Sequence, residues 1–430
     1  MGKHVGHFLI RIFVVATAML FLVSGVSAAS PEKKLYSFTG GLDGGRPAAD
    51  LVFDNAGNLY GTTVTGGNGG SCAGGCGTVF QLTRNSSGKW QETVLYNFQA
   101  GPDGKNPYGG VVIDKKGNLI GTTVAGGSGG LCAGDGCGVV YMLKHSSSGW
   151  NLIVLHSFTG MHDGGGPGSG LAIDKNGNLY GTTPTGGKLG GCAGQGCGVV
   201  YQLVPLGGGV WKENVLHQFT GGTDGATGSL GRLHIDAAGN VYGLAEIGGD
   251  LNCNPNSGCG TAYKLAPLAG GRWKMTSLYS FKGMPDAGFP YGGLISDAAG
   301  NLFGTTYFGG ANGAGTVFEL SPGSNGKWTE TVLYNFQGAA DGGNPTTTLV
   351  LSAAGILYGT TSGGGDSNGD GVAFKLTPTS SGWKETVSHR FLGVDGANPN
   401  YGLVQDKAGN LYGVTPFGGH GAGVVFEMGP

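Results

Sequence analysis

The chain has 430 residues, of which 95 are glycine, 39% are hydrophobic and only 12% are charged, and its formal net charge is −2. Glycine follows no three-residue period, which excludes collagen, and the apolar content is too high for a disordered chain. The near-zero charge and the absence of a Lys/Arg cluster argue against nucleic acid as a partner.

Residues 1–29 are predicted to be a cleaved signal peptide. Lys3 and Arg11 precede an apolar run, and small residues at 27–29 end it. The alternative is an N-terminal membrane anchor, but the run is shorter than the ~20 residues of a spanning helix. Because no second apolar span follows, the mature chain, residues 30–430, is expected to be secreted or periplasmic, without a transmembrane segment.

A motif related to LYGTT recurs seven times after the signal peptide, at intervals of 54 to 62 residues. Its glycines are Gly61, Gly121, Gly181, Gly243, Gly304, Gly359 and Gly413. A fixed period of this size is typical of repeat architectures in which equivalent units pack against one another.

Each unit contains four short segments rich in Val, Tyr, Phe and Thr, bounded by Gly, Asn, Asp or Pro, and none has a helical period. The sequence therefore predicts an all-β fold, a seven-bladed β-propeller with four antiparallel strands per blade. The predicted units span approximately residues 47–98, 107–158, 167–219, 228–281, 290–336, 345–391 and 399–428, the last completed by 33–38.

The two ends of the chain favour a closed ring. Residues 33–38 correspond to a fourth segment alone, whereas residues 423–428 are the third segment of the seventh unit. Pairing them completes one blade and leaves no free sheet edge, which proteins generally avoid. A β-solenoid and two separate sheets are the alternatives.

The units, with the pattern LYSF, DG, GLVxD, GNLYGTT, GG and GVVFxL, resemble the GloVer-type tandem repeat, a family of exported bacterial repeat proteins often found with C-terminal surface anchors. The resemblance covers essentially the whole mature chain, and it implies export and a β-propeller-like array but no catalytic residues. Because the chain ends at Pro430 without a hydrophobic tail or sorting motif, retention at the cell surface is not expected.

Eight cysteines lie in the long glycine-rich loops of units one to four. They form four local pairs: Cys72 and Cys76, Cys132 and Cys137, Cys192 and Cys197, and Cys253 and Cys259. An even count in an exported chain favours a structural disulfide within each loop. Zinc is the alternative, but no regularly placed histidine completes four ligands, so no metal and no cofactor are predicted.

An aspartate follows the LYxF segment in every unit: Asp43, Asp103, Asp163, Asp224, Asp286, Asp341 and Asp395. Such residues cap turns through their side chains. Calcium or glycan hydroxyls are alternative ligands, although each loop supplies only one carboxylate. His156, His217 and His389 replace the tyrosine of LYxF and are interpreted as strand residues.

Six tryptophans, one per unit, occupy the same place at the start of the fourth segment: Trp90, Trp150, Trp211, Trp273, Trp328 and Trp383. A stripe of aromatic side chains that stack on a ligand is one interpretation. Packing between blades is the favoured one, because all six hold equivalent positions.

Residues that break the symmetry are the candidate binding residues, and the loop face of the propeller is where they are expected to meet the central channel. They are Arg232, His234, Glu246 and Asp250 in unit four, Asp366 and Asp370 in unit six, and His420 in unit seven. Paired carboxylates could also perform acid/base chemistry if they converged.

The sequence favours an exported, monomeric, non-enzymatic binding propeller whose ligand is a glycan, cell-envelope material or another protein. An extracellular carbohydrate-active hydrolase or lyase on the same scaffold is the second hypothesis, and a structural surface protein is the third. No catalytic residues are assigned.

Overall fold

Each repeat unit folds into one antiparallel sheet, and seven such sheets form a β-propeller in the computed structural model of the chain. The structure describes residues 32–132, 134–228, 231–254 and 257–430. The predicted signal peptide lies outside these ranges. The described part of the chain contains no α-helix and two short 3-10 turns, Cys192–Gly194 and Ala269–Gly271.

In blades 1 to 6 the four main strands lie side by side in chain order, and the last of them is called the outer strand. Blades 2, 3 and 6 have four strands each. They are Val111–Ile113, Leu119–Thr123, Val139–Ser146 and Gly149–Ser157 in blade 2; Ala172–Ile173, Leu179–Thr183, Val199–Gly207 and Val210–Gln218 in blade 3; and Val350–Leu351, Leu357–Thr361, Val372–Thr379 and Gly382–Arg390 in blade 6.

Blades 1, 4 and 5 have an additional short strand, the first of the blade in chain order, which pairs with the C-terminal end of the second main strand. The additional strand is not counted when the four main strands of a blade are called first to fourth. Their strands are Gly45–Pro47, Val52–Phe53, Leu59–Thr65, Thr78–Arg84 and Trp90–Asn97 in blade 1; Ala226–Gly228, His234–Ile235, Val241–Ile247, Thr261–Pro267 and Trp273–Ser280 in blade 4; and Ala287–Pro290, Ile295–Ser296, Leu302–Gly309, Thr316–Pro322 and Trp328–Asn335 in blade 5.

Blade 7 combines the two ends of the described chain. Its first three strands are Val404–Gln405, Leu411–Thr415 and Val424–Met428, and its outer strand is Lys33–Ser37. The outer strand runs antiparallel to Val424–Met428, with Ser37 opposite Val424 and Lys33 opposite Glu427. The third strand of blade 7 therefore has a hydrogen-bonded neighbour on both sides.

The glycine of each LYGTT motif lies where the backbone of the second strand meets an aromatic ring of the third. A Cβ at Gly61 would lie 2.6 Å from the ring of Phe80 and 2.9 Å from Leu51. Only hydrogen fits in this space, so the same glycine recurs in every unit.

Neighbouring blades pack through seven equivalent aromatic pairs. In each pair the phenylalanine that follows one outer strand contacts, edge to face, the buried ring of the next blade's third strand, with centroids 5.0 to 5.4 Å apart. The pairs are Phe38–Phe80, Phe98–Tyr141, Phe158–Tyr201, Phe219–Tyr263, Phe281–Phe318, Phe336–Phe374 and Phe391–Phe426. The core is thus a ring of like contacts, one at each junction.

The six tryptophans serve blade packing. Trp90 of blade 1 contacts Tyr412 of blade 7 at 6.4 Å between centroids, and Trp273 of blade 4 contacts Tyr180 of blade 3 at 6.2 Å. All six are partly buried against the apolar clusters at the junctions.

Candidate functional site: a funnel on the loop face

The Asp-Gly turns and the Gly-Gly loops lie on the same face of the propeller. In blade 1 the amide of Gly67 donates to the carbonyl of Gly41, at 2.8 Å. The same contact between loop and preceding turn recurs at Gly127–Gly101, Gly187–Met161, Gly249–Gly222, Gly310–Asp286, Gly365–Ala339 and Gly419–Gly393. This face, the loop face, is therefore built from both kinds of connection.

The seven turn aspartates cap their own turns. In the first, the amide and hydroxyl of Thr39 and the hydroxyl of Tyr36 all donate to the Asp43 carboxylate. His217 and His389 take the place of this tyrosine, and each places Nε2 3.0 Å from its aspartate, Asp224 or Asp395. Both histidines lie on outer strands, as the sequence indicated, and are structural partners of a turn carboxylate.

Four disulfides stiffen the loop face. The bonds join the four local pairs that the sequence predicted, Cys72–Cys76, Cys132–Cys137, Cys192–Cys197 and Cys253–Cys259, with sequence separations of 4 to 6 residues. No free cysteine occurs within the described ranges. Local disulfides of this kind are typical of proteins in oxidising compartments.

A funnel of about 1030 Å³ opens on the loop face over the centre of the ring. Its lining comes mainly from blades 4 to 7 and from the connections that enter them. The aromatic lining residues are Phe289, Tyr291, Tyr307, Phe308, Tyr401 and Phe417, and the polar ones include Asp50, Glu246, Asn254, Asn344, Thr346, Thr348, Ser362, Asn398 and Asn400. A concave site that combines aromatic walls with convergent polar groups is typical of small-molecule binding.

Blade 5 supplies one aromatic wall of the funnel. The rings of Tyr291 and Tyr307 lie 5.8 Å apart, and those of Phe289 and Phe308 lie 6.2 Å apart. Tyr307 is 42% exposed and Phe308 40% exposed. Solvent-exposed aromatic groups clustered at one opening are a usual sign of a contact site.

Phe289, in the wall of the funnel, and Arg46, beside it against the ring of Phe417, have backbone conformations that L-residues rarely adopt. Phe289 has φ 55° and Arg46 has φ 53°, whereas Asn344 and Asn398 occupy the equivalent turn position in blades 6 and 7. Asparagine tolerates this region, but a bulky side chain there costs roughly 1–3 kcal/mol. The conformation directs Phe289 into the funnel and places the Arg46 guanidinium 5.4 Å from the ring centroid of Phe417.

Glu246 is the carboxylate on the wall of the funnel. It lies near the end of the second strand of blade 4, and the Tyr291 hydroxyl donates a hydrogen bond to it. Burial raises the pKa of Glu246 above its usual value, and the hydrogen bond from Tyr291 acts in the opposite direction. Burial of this carboxyl group therefore favours its neutral form.

Asp50 lies at the floor of the funnel. Its Oδ1 accepts a hydrogen bond from the amide of Gly402, at 2.7 Å, and its Oδ2 lies 4.0 Å from Nη2 of Arg232. A Cβ at position 402 would lie 2.7 Å from Asp50 Oδ1, so glycine is needed for the carboxylate to approach the backbone. The ion pair joins blades 1 and 4 across the centre of the ring.

A small cavity lies next to this pair. It is lined by Asp50, Tyr108, Arg232, Tyr401 and small residues, and its volume of about 20 Å³ has room for about one water molecule. This cavity is too small to hold a sugar ring.

Two of the seven predicted binding residues lie at the centre of the loop face. Glu246 lines the wall of the funnel, and Arg232 lines the small cavity next to Asp50. His234 lies at the other end of blade 4, beside the start of the second strand, with its ring 5.9 Å from that of Tyr242. Burial lowers the pKa of His234, an effect that Asp236 opposes.

The other four predicted residues lie in three loops, of which one contains both Asp366 and Asp370. The Asp250 carboxylate accepts the amide of Asn252, the Asp366 carboxylate accepts the amide of Asn368, and both contacts are 2.9 Å long. The His420 amide donates to Ser37 Oγ. Burial, together with the charge of Asp366, raises the pKa of Asp370. The structure does not bring these four side chains into the funnel.

The family of the chain follows from its repeats. The sequence model of the Gloeobacter/Verrucomicrobia repeat matches residues 69–253 and 231–430, which together are most of the chain. The chain belongs to the Gloeobacter/Verrucomicrobia repeat family. This confirms the resemblance seen in the sequence.

Solved structures are similar to this Gloeobacter/Verrucomicrobia repeat protein at low sequence identity. One is a fungal alcohol oxidase of the AA5 family in complex with copper, with a TM-score of 0.52, 14% identity, and coverage of 94% of this chain and 76% of that one. Another is PorZ, a surface component of the type IX secretion system of Porphyromonas gingivalis, with a TM-score of 0.49, 13% identity, and coverage of 89% and 46%.

No curated protein sequence matches this repeat protein.

Within the described ranges, no helix combines the length and the apolar composition needed to cross a membrane.

The sequence analysis missed the aromatic residues of the funnel. Tyr307 occupies the same place in its unit as Glu246, where units one and three have Val64 and Pro184. An aromatic residue at a position where no other unit has one is a local signal that could have identified it. Asp50 carried no such signal, because its partner Arg232 is distant in the chain.

Proposed function

We propose that this chain is an exported, non-enzymatic propeller that binds carbohydrate in the funnel of the loop face. The observation that carries the proposal is the aromatic wall of blade 5, which faces amide and hydroxyl side chains of blades 6 and 7. A sugar ring has an apolar C–H face and a polar rim of hydroxyl groups. Aromatic side chains can cover the first, while amides and carboxylates bind the second.

The charges of the funnel favour a neutral or amine-bearing sugar. Asp50 and Glu246 are the ionisable acids of its lining, and no Lys, Arg or His is among the described lining residues. Arg232 lines the small cavity next to Asp50 and is already paired with it. A sulfated or uronic sugar would therefore meet two carboxylates in the lining itself, whereas the Arg46 guanidinium lies outside the lining, against the ring of Phe417.

Export is supported by the disulfide pattern, since four local disulfides are favoured in an oxidising compartment.

A glycan array that contains neutral, amino and acidic sugars tests the proposal. We expect neutral or amino sugars to bind and Tyr307→Ala to weaken the affinity at least tenfold, because the ring is 42% exposed at the funnel. Leu189→Ala is the matched control, since Leu189 is 45% exposed on the same face but does not line the funnel. Absence of binding, or equal loss in both variants, would refute the proposed site.

A hydrolase or lyase is the second candidate function, and the raised pKa of Glu246 favours it. A carboxylic acid with a raised pKa is suited to act as a general acid, here with Tyr291 hydrogen-bonded to it. Any sugar that binds is incubated with the protein and with Glu246→Gln. Turnover that disappears in the variant establishes catalysis, whereas binding without turnover supports the non-enzymatic function.

A further inference from the structure

Four blades carry a glutamate on the outer strand at one shared position, and a fifth glutamate, Glu32, directly precedes the outer strand of blade 7. In the strand register, Glu92, Glu213, Glu330 and Glu385 lie opposite the leucine of the third strand: Leu82, Leu203, Leu320 and Leu376. Glu32, four residues before Tyr36, holds the same place in the sequence motif of blade 7. The position therefore belongs to the repeat, on the side of the sheet that meets the preceding blade.

Each of these glutamates faces the turn aspartate that follows the outer strand of the preceding blade. The pairs are Glu92–Asp43, Glu213–Asp163, Glu330–Asp286, Glu385–Asp341 and Glu32–Asp395. At the junction of blades 6 and 7, a carboxylate oxygen of Glu32, a carboxylate oxygen of Asp395 and a ring nitrogen of His389 all lie within 4.8 Å of one another. At the junction of blades 4 and 5, the Glu330 and Asp286 carboxyl groups are hydrogen-bonded.

The aspartate of each pair accepts hydrogen bonds from its own turn. Asp286, for example, accepts hydrogen bonds from the Tyr279 hydroxyl, at 2.9 Å, and from the Lys282 amide, at 3.0 Å. The glutamate has no comparable donors. One oxygen of every one of the five glutamates is shielded from solvent and has no hydrogen-bond partner among the described residues. A proton on the glutamate satisfies both groups, because the acid can donate to the neighbouring carboxylate.

Burial, followed by the charge of the facing aspartate, raises the pKa of Glu92 to about 7. Burial first, together with the charge of the facing aspartate, raises the pKa of Glu32, Glu213 and Glu385 to about 7 and that of Glu330 to about 8.

The other ionisable groups that face these glutamates are few and differ between junctions. The cationic or titratable neighbours are Lys34 and His389 near Glu32, His156 near Glu213, Lys282 near Glu330, and Arg390 near Glu385. The tyrosines that face the pairs are Tyr36, Tyr201, Tyr279 and Tyr334. The arrangement common to all five junctions is thus the pair of carboxyl groups.

We propose that a proton shared by the glutamate and aspartate at five of the seven blade junctions makes the closed ring sensitive to pH. Loss of that proton leaves two carboxylates facing each other, partly shielded from solvent, and the neighbouring blades repel. Because the folded protein holds these protons at pH values where the unfolded chain has released them, the stability of the ring falls as the pH rises from about 5 to about 8.

Two junctions lack the pair and serve as natural controls. Blade 2 has Leu152 and blade 4 has Met275 at the glutamate position, each opposite the leucine of its third strand. Asp103 and Asp224 remain in the turns that these two side chains face in the repeat. An apolar side chain is therefore accepted at this position.

Thermal unfolding of the full chain between pH 5 and pH 8 tests the proposal. The wild-type Tm is expected to fall by about 5 °C over this range. The five-fold variant combines Glu32→Gln, Glu92→Gln, Glu213→Gln, Glu330→Gln and Glu385→Gln. At pH 8 it should have a higher Tm than the wild type, and its Tm should not change between pH 5 and pH 8, since an amide donates to the aspartate at every pH. Glu319→Gln, on a third strand and away from the turn aspartates, should leave the wild-type profile unchanged.

The converse variant keeps the test decisive if the five-fold variant does not fold. Leu152→Glu creates a sixth pair with Asp103 and should make the fall of Tm with pH steeper, with little change at pH 5. A flat wild-type profile, or a steep one that persists in the glutamine variant, would overturn the proposal. Stabilisation by added Ca²⁺ at pH 8 that the glutamine variant loses would also overturn it, because the pairs would then hold a cation rather than a proton.

Discussion

The aromatic pairs between blades predict how strongly the N-terminal strand supports the ring. Phe38 follows that strand, is fully buried, and lies 5.1 Å from Phe80 of blade 1, centroid to centroid. Replacing it by alanine removes a buried ring and leaves a cavity at the junction of blades 7 and 1. Such a change costs about 3–5 kcal/mol, which includes the loss of one edge-to-face contact. That is a large part of the 5–15 kcal/mol that usually stabilises a folded protein.

Equilibrium unfolding in urea, followed by tryptophan fluorescence, measures this cost. Phe219→Ala is the matched variant, because Phe219 makes the same contact with Tyr263 at the junction of blades 3 and 4. Leu42→Ala is the control, since Leu42 is 72% exposed, and a change within about 0.5 kcal/mol is expected there. If Phe38→Ala costs less than about 1 kcal/mol while Phe219→Ala costs 3–5 kcal/mol, the N-terminal strand does not share the interblade packing and the reasoning is wrong.

Three further predictions concern the loop face. Reduction of the Cys192–Cys197 disulfide should destabilise the chain by about 2 kcal/mol, as expected for a ring of about six residues; peptide-resolved hydrogen exchange should show faster exchange in that loop while the blade strands stay protected. Burial acts to raise the pKa of Asp224, but hydrogen bonds from its turn partners outweigh it and the pKa is lowered. The stability that this carboxylate contributes is therefore present above the usual pKa of an aspartate, and it is lost as the pH falls through the lower pKa of the folded state. Asp224→Asn should thus reduce the dependence of the free energy of unfolding on pH below pH 4. Finally, Gly402→Ala should displace Asp50 and weaken binding in the funnel without changing the circular dichroism of the sheets, whereas unchanged affinity for the sugar found on the array would show that Asp50 is not needed there.

The repeating features of this protein could be read from the sequence because they are local and occur in every unit. The LYGTT glycine indicates a ring packed against the backbone, the turn aspartate indicates a capped turn, and the paired cysteines indicate disulfides, all within one unit. Because each pattern recurs in several units, it is easier to distinguish from chance. The all-β fold, the seven blades and the four cysteine pairs were predicted on this basis.

The site needed the tertiary structure because its residues are distant in the chain and individually ordinary. Asp50 and Arg232 meet only because the ring places blades 1 and 4 across a common centre. His234 and Glu246 belong to one unit, yet the antiparallel hairpin between them puts their side chains at opposite ends of the blade. A symmetry-breaking residue is visible in a sequence, but its direction and its neighbours are set by closure of the whole ring.

The carboxyl pairs show the same division. The sequence by itself determined that a glutamate recurs in the outer strand and an aspartate in the turn. Only the tertiary structure determined that the two belong to neighbouring blades and face each other, since the twist and packing of adjacent sheets, rather than any local pattern, decide which side chains share a proton.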